Sequence, residues 1–166
     1  MFDLLVETEP MAASGYEQAT IDAAIQRNTM VERFLASPLG QHLRSIEGAD
    51  IAEASGGRLL GTPAIKEEID ELDPCALLFP HGYLPIWTSI GGNAIVYGLN
   101  EEAFFWADHT SWIRDDSVML PGTNHELPFT DENIPKGLLQ LSTDTPDEFL
   151  ADLRNGVYTD RLNELD

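Results

Sequence analysis

The stretch FPHGYLPIWTSIGGNAIVYGL, residues Phe79–Leu99, decides the fold. It holds no Asp, Glu, Lys or Arg, in a chain with 29 acidic and 9 basic residues. β-Branched and aromatic residues fill it, and Gly91-Gly92-Asn93 interrupts it once. That pattern predicts two strands, LPIWTSI (84–90), entered through Pro85, and NAIVYGL (93–99), joined by a hairpin turn. The lack of charge predicts that both strands are buried.

Strand signals continue outward from this pair. Asn100-Glu101-Glu102 predicts the next turn, and AFFWADH (103–109) a further strand. Alternation sets Phe104 and Trp106 on one face and Phe105 on the other. CALLF (75–79) reads as a short apolar strand, and SWI (111–113) and SVML (117–120) as short edge pieces. One face of the resulting sheet must pack on helices. The other is either core beneath further cover or a partly exposed aromatic interface, and both alternatives stay open.

Helical signals flank the strands. Tyr16 to Ala36 carries Ile21, Ala24, Ile25, Val31, Phe34 and Leu35 at near-helical spacing, and Pro38 closes it. Leu39 to Ala54 gives a weaker helical pattern before Ser55-Gly56-Gly57 breaks the chain and Arg58 to Leu60 offers a short strand. Thr62-Pro63 followed by IKEEIDEL predicts a short acidic helix. Thr145, Pro146 and Glu148 form a capping box opening a last helix with Phe149, Leu150, Leu153 and Val157 as its stripe, which Gly156 can end. The order is N-terminal helices, a largely antiparallel meander of four to six strands, then a C-terminal helix, which is the α+β class. The length of 166 residues and the lack of any linker point to one domain, with residues 1–14 a loose or docking terminus.

The net charge is −20. Residues 1–100 carry −9 and residues 101–166 carry −11, so the excess coats the surface rather than a tail. Such a surface repels phosphate backbones and anionic membranes and favours a basic protein partner. Solubility or adaptation to high salt is the plainer explanation, and the scarcity of lysine, Lys66 and Lys136 alone, agrees with it. A single cysteine, Cys75, excludes an intrachain disulfide. No apolar run reaches the roughly 18 residues of a membrane span, and the start lacks a basic leader, so a cytoplasmic location is expected.

Several residue groups could carry chemistry, and each has a plainer reading. Gly91-Gly92-Asn93 is followed by a strand rather than a helix and lacks the Lys and Ser or Thr of a phosphate loop. Asp108-His109 with His81 and His125 could converge on a metal, yet no His pair has the local spacing of a ligand set. Ser89 lies in TSIGG, which is not a nucleophile elbow. Cys75 opens an apolar run and reads as buried and inert. The acidic pairs Glu101-Glu102 and Asp115-Asp116 read as solvated turns. No catalytic residue, cofactor or metal site is expected.

The run LLFPHGYLPIWTSIGGNAIVYGLNEEAFFWADHTSW, residues 77–112, resembles the central segment of the SUKH superfamily, the Smi/Knr-like proteins. The resemblance rests on the ordered set: Gly56-Gly57, then Phe79 to Ile86, Ser89 to Asn93, Ile95 to Leu99, Asn100 to Glu102, and Phe104 to His109. The order of elements extends it over residues 15–158, and TNHELPFTDENIP (123–135) departs from it. The resemblance implies an α+β fold with a mixed or antiparallel sheet against helices, and no enzymatic activity. It implies an immunity protein that binds and blocks a cognate toxin, often a nuclease. Relatives that act as regulatory or adaptor modules supply the alternative. Nuclease toxins bind phosphates and so tend to be basic, and an acidic inhibitor can steer to that surface and occlude it. The expected partner is a basic toxin domain, held by Glu101, Glu102, Asp108, Asp115 and Asp116 with Trp87 and Trp106 as anchors.

Overall fold

The computed structural model describes residues 4–5, 11, 14–46, 49–51, 57–112 and 116–165. Helix α1 spans Gln18–Ala36 and α2 spans Pro38–Ser45, followed by strands β1 (Ala49–Ile51) and β2 (Gly57–Leu60). Helices α3 (Thr62–Glu71) and α4 (Cys75–Leu78) come next, and a 3₁₀ turn over Phe79–His81 leads into the strands. Strands β3 (Tyr83–Ser89), β4 (Ala94–Gly98) and β5 (Ala103–Ala107) form the centre. A 3₁₀ turn over His109–Trp112 precedes β6 (Ser117–Met119) and β7 (Glu126–Pro128). A further 3₁₀ turn over Ile134–Gly137 leads to β8 (Leu139–Ser142), α5 (Pro146–Arg154) and α6 (Thr159–Leu165).

The fold is α+β, with helices at both ends of the chain around an antiparallel sheet. Six strands pair in the order β1-β2-β3-β4-β5-β8, and β6 and β7 form a separate hairpin. The register pairs Tyr97 with Leu84 on one side and with Phe104 on the other. A bulge lies between Pro85 and Trp87, so Ile86 and Trp87 both turn toward the helices instead of alternating. It also accommodates Pro85, which cannot donate to a ladder.

Both faces of the sheet are buried. On the helix side, Leu84, Ile86, Trp87, Ile95, Tyr97, Phe104 and Trp106 pack with Val31 and Phe34 of α1, Leu39 and Leu43 of α2, and Phe149 of α5. Phe104 and Phe149 stack with ring centroids 3.7 Å apart. On the other face, Tyr83, Val96 and Phe105 pack with Cys75 and Leu78 of α4, Trp112, Val118 and Ile134. Alternation along β5 thus places Phe104 and Trp106 opposite Phe105, as the sequence predicts. The partly exposed aromatic face is not observed, because α4, the β6–β7 hairpin and the loop before β8 cover it. Trp87 lies so flat across Gly57 that a Cβ there would stand 1.8 Å from the indole.

Four readings of the sequence are corrected. CALLF is not a strand. Ala76 N–H donates to Leu72 and Leu78 N–H to Pro74 in helical fashion, and Ala and Leu favour that state. Periodicity alone cannot assign so short an apolar run. The second helix stops at Ser45, and Ala49–Ile51 pairs with β2 as an edge strand. Trp112, expected in an edge piece, lies in a 3₁₀ turn. Val157 is 61% exposed, because Gly156, at φ 73°, ends α5 before Val157 can join its stripe.

The capping box forms, with the Glu148 amide donating to Thr145 Oγ1 and the Thr145 amide to Glu148 Oε2. The reading of residues 1–14 lies mostly outside the described residues, but Leu4 is buried in the helix-side core. Arg161 of α6 donates to the carbonyls of Gln140 and Leu141, which blunts the free edge at β8. Among the described residues, no helix is long and apolar enough to cross a membrane.

Candidate functional site

Two groups of polar side chains lie at the two ends of β3. At its start, α1, the Phe79–His81 turn, the β4–β5 turn and the loop over 131–135 enclose a cleft of about 940 Å³. α1 contributes small residues, Ala19 and Ala23, and the long side chains Arg27 and Met30. Arg27 Nη1 donates to the Pro80 carbonyl at 2.9 Å, and its guanidinium lies 5.3 Å from the Phe79 ring centroid. Burial lowers the Arg27 pKa from its ordinary value, though the group remains a cation.

Two carboxylates line the same cleft. The Tyr83 hydroxyl donates to Glu101 Oε1 at 3.1 Å, and burial, then the Glu101 charge, push the phenol well above its ordinary pKa. His81 Nδ1 meets Asp131 Oδ1 at 2.5 Å, and the ring stands edge-on to Phe129. A smaller cleft of about 280 Å³ adjoins the first and shares Met30 and Leu99 with it. There Arg33 of α1 pairs with Glu102 across the opening. The two clefts form one furrow along α1 from Ala19 to Phe34, roughly 22 Å of helix.

At the far end of β3 the polar groups close on the backbone. Ser89 and Asn93 exchange hydrogen bonds across the Gly91-Gly92 turn, which is a hairpin turn and not a phosphate loop. Asn93 Oδ1 accepts from the His109 amide and lies 2.9 Å from its Nδ1. Asp108 Oδ1 accepts from the Thr110 amide and hydroxyl. β3 is roughly 20 Å long, so His81 is separated from Asp108 and His109. His125 sits in neither place but in the turn between β6 and β7. Among the described residues, no three His, Cys, Asp or Glu side chains are grouped to hold a metal ion.

Of the seven residues expected to hold a partner, the six that are described do not form one patch. Glu101 and Glu102 are exposed at the β4–β5 turn beside the furrow. Asp108 lies at the opposite end of β5, and Asp116 is exposed at the start of the β6–β7 hairpin. Asp115 lies outside the described residues. Trp87 and Trp106 are corrected outright: they are 0% and 2% exposed and pack on each other inside the helix-side core. They present no surface to a partner. Arg27, Tyr83 and Asp131 escape sequence reasoning, since their contacts span 53, 18 and 50 residues.

Among the described acids only Glu68 is buried. Its Oε1 lies 3.5 Å from Arg58 Nη2, and burial raises its pKa against the opposing pull of Arg58. Cys75 touches the same carboxyl, is fully buried, and is pushed far above the ordinary thiol range by burial. That environment makes the thiol inert. Compared with family models, with curated proteins and with solved structures, the chain gives no match.

Proposed function

We propose that this is a non-catalytic binding protein that neutralises a basic, nuclease-type toxin by direct contact in the cytoplasm, in the manner of the SUKH immunity proteins that its central segment resembles. The carrying observation is where the charge sits. Every described acid but Glu68 reaches solvent, while both faces of the sheet are filled. The carboxylates therefore project a negative field that a basic protein meets before it makes contact. The furrow beside α1 adds a concave, carboxylate-flanked surface where such a partner can seat.

The test pairs the purified protein with the basic proteins encoded beside its gene. One of them is expected to bind at one-to-one stoichiometry and to lose its toxic activity in the complex. Binding without inhibition would favour the regulatory or adaptor reading. Absence of binding to any of them, at both low and physiological salt, would overturn the proposal.

A further inference from the structure

We propose that the furrow beside α1 receives an arginine side chain of the protein partner, with its guanidinium on Glu101 and its methylene stem along Met30 and Leu99. The inference rests on the reading of the protein as a binder of basic proteins and names the place and the residue.

The furrow has the shape and chemistry for that side chain. Half-buried Met30 gives it an apolar wall over the buried Leu99 and Ile134, and its rim carries Glu101 on one side and Asp131 on another. Long cationic side chains lay their stems on such surfaces and keep the head polar. Among the described residues, Glu101 accepts from one side-chain donor, the uncharged Tyr83 hydroxyl, and Asp131 meets the His81 ring. Among the described residues, neither carboxylate pairs with a lysine or arginine. Arg27 makes no ion pair with either carboxylate: its Nη1 donates to the Pro80 carbonyl, its guanidinium lies over the Phe79 ring, and its buried Nε has no hydrogen-bond partner among the described residues.

The chain itself shows which cation fits. One residue further along the same turn, Glu102 holds the guanidinium of Arg33, which reaches across the furrow from α1. Among the described residues, Glu101 is the adjacent position without such a partner. A guanidinium also suits the site better than an ammonium. It is planar and weakly hydrated, and its fork can meet a carboxylate with two donors.

The test needs no cognate protein. N-acetyl-arginine N-methylamide is titrated into ¹⁵N-labelled protein, with the lysine and norleucine analogues as comparators. The expected result is saturable shifts at the Tyr83, Asn100 and Glu101 amides, with arginine tighter than lysine. Glu101→Gln is expected to weaken arginine binding roughly tenfold. Glu126→Gln, an exposed acid of β7 that does not line the furrow, is expected to leave it unchanged. A thermal melt of Glu101→Gln checks that its fold is intact. Shifts scattered over the exposed acids, equal binding of lysine, equal binding by Glu101→Gln, or no saturable shift at the furrow would each overturn the inference. If a neighbouring basic protein binds while the probe leaves the furrow untouched, only the placement falls. If no basic protein binds, the functional reading falls whatever the probe does.

Discussion

The two ends of β3 use the same kinds of polar residue for opposite purposes. At the far end, Ser89, Asn93, Asp108 and His109 spend their hydrogen bonds on the turn and on one another. Asn93 is 4% exposed there, and its amide oxygen satisfies a backbone donor that the turn would otherwise strand. At the near end, Arg27, His81, Tyr83 and Glu101 bond across elements far apart in sequence. They leave a furrow between those elements, with carboxylates on its rim. Polar residues at a strand end become a site only when their neighbours hold them apart.

Substitution at either end separates the two roles. The largest expected effect is at the closed end: Asn93→Ala strands the His109 amide and should cost about 2 kcal/mol in urea unfolding, with partner affinity unchanged. At the open end the pattern should reverse. Glu101→Gln combined with Asp131→Asn should keep stability within about 0.5 kcal/mol and weaken the partner by roughly tenfold, read by calorimetry. A stability loss at the open end as large as that at the closed end would erase the distinction.

Glu68 sharpens the contrast as the buried acid. Its pKa is raised on folding, so ionising it costs stability that is absent below the unfolded pKa and fully present above the folded one. Glu68→Gln should therefore stabilise the protein more at pH 7 than in acid, an advantage that shrinks as the pH falls through the folded and unfolded pKa values. Denaturant midpoints at pH 4, 5.5 and 7 check the sign. The smallest effect is expected from Arg33→Ala. Its exposed pair with Glu102 is worth little, so stability should shift by no more than about 0.5 kcal/mol. Freeing Glu102 should tighten the blocked-arginine probe by roughly twofold in the same NMR titration.

The sheet was legible because its signals are local. The uncharged run over 79–99, the Gly91-Gly92-Asn93 turn and the alternation of Phe104, Phe105 and Trp106 each fix a neighbour within a few residues. The capping box at Thr145 is local as well. The misread pieces lack such constraint. Four residues of α4 are too few to show a helical period, and three residues of β1 exist as a strand because β2 lies beside them. Trp87 and Trp106 looked available as anchors because a sequence does not say how many layers cover a sheet. The furrow was illegible for the same reason: His81 meets Asp131 only after β6, β7 and the following loop fold back over the sheet.

We propose that the exposed acidic surface captures a basic protein, and the association rate with any basic protein encoded beside the gene, measured across ionic strength, tests this most directly. The account predicts a rate that falls by at least about tenfold between roughly 10 and 150 mM salt, as the Debye length shrinks from about 30 to about 8 Å. A rate that stays flat over that range would contradict it and leave the acidity as a matter of solubility alone.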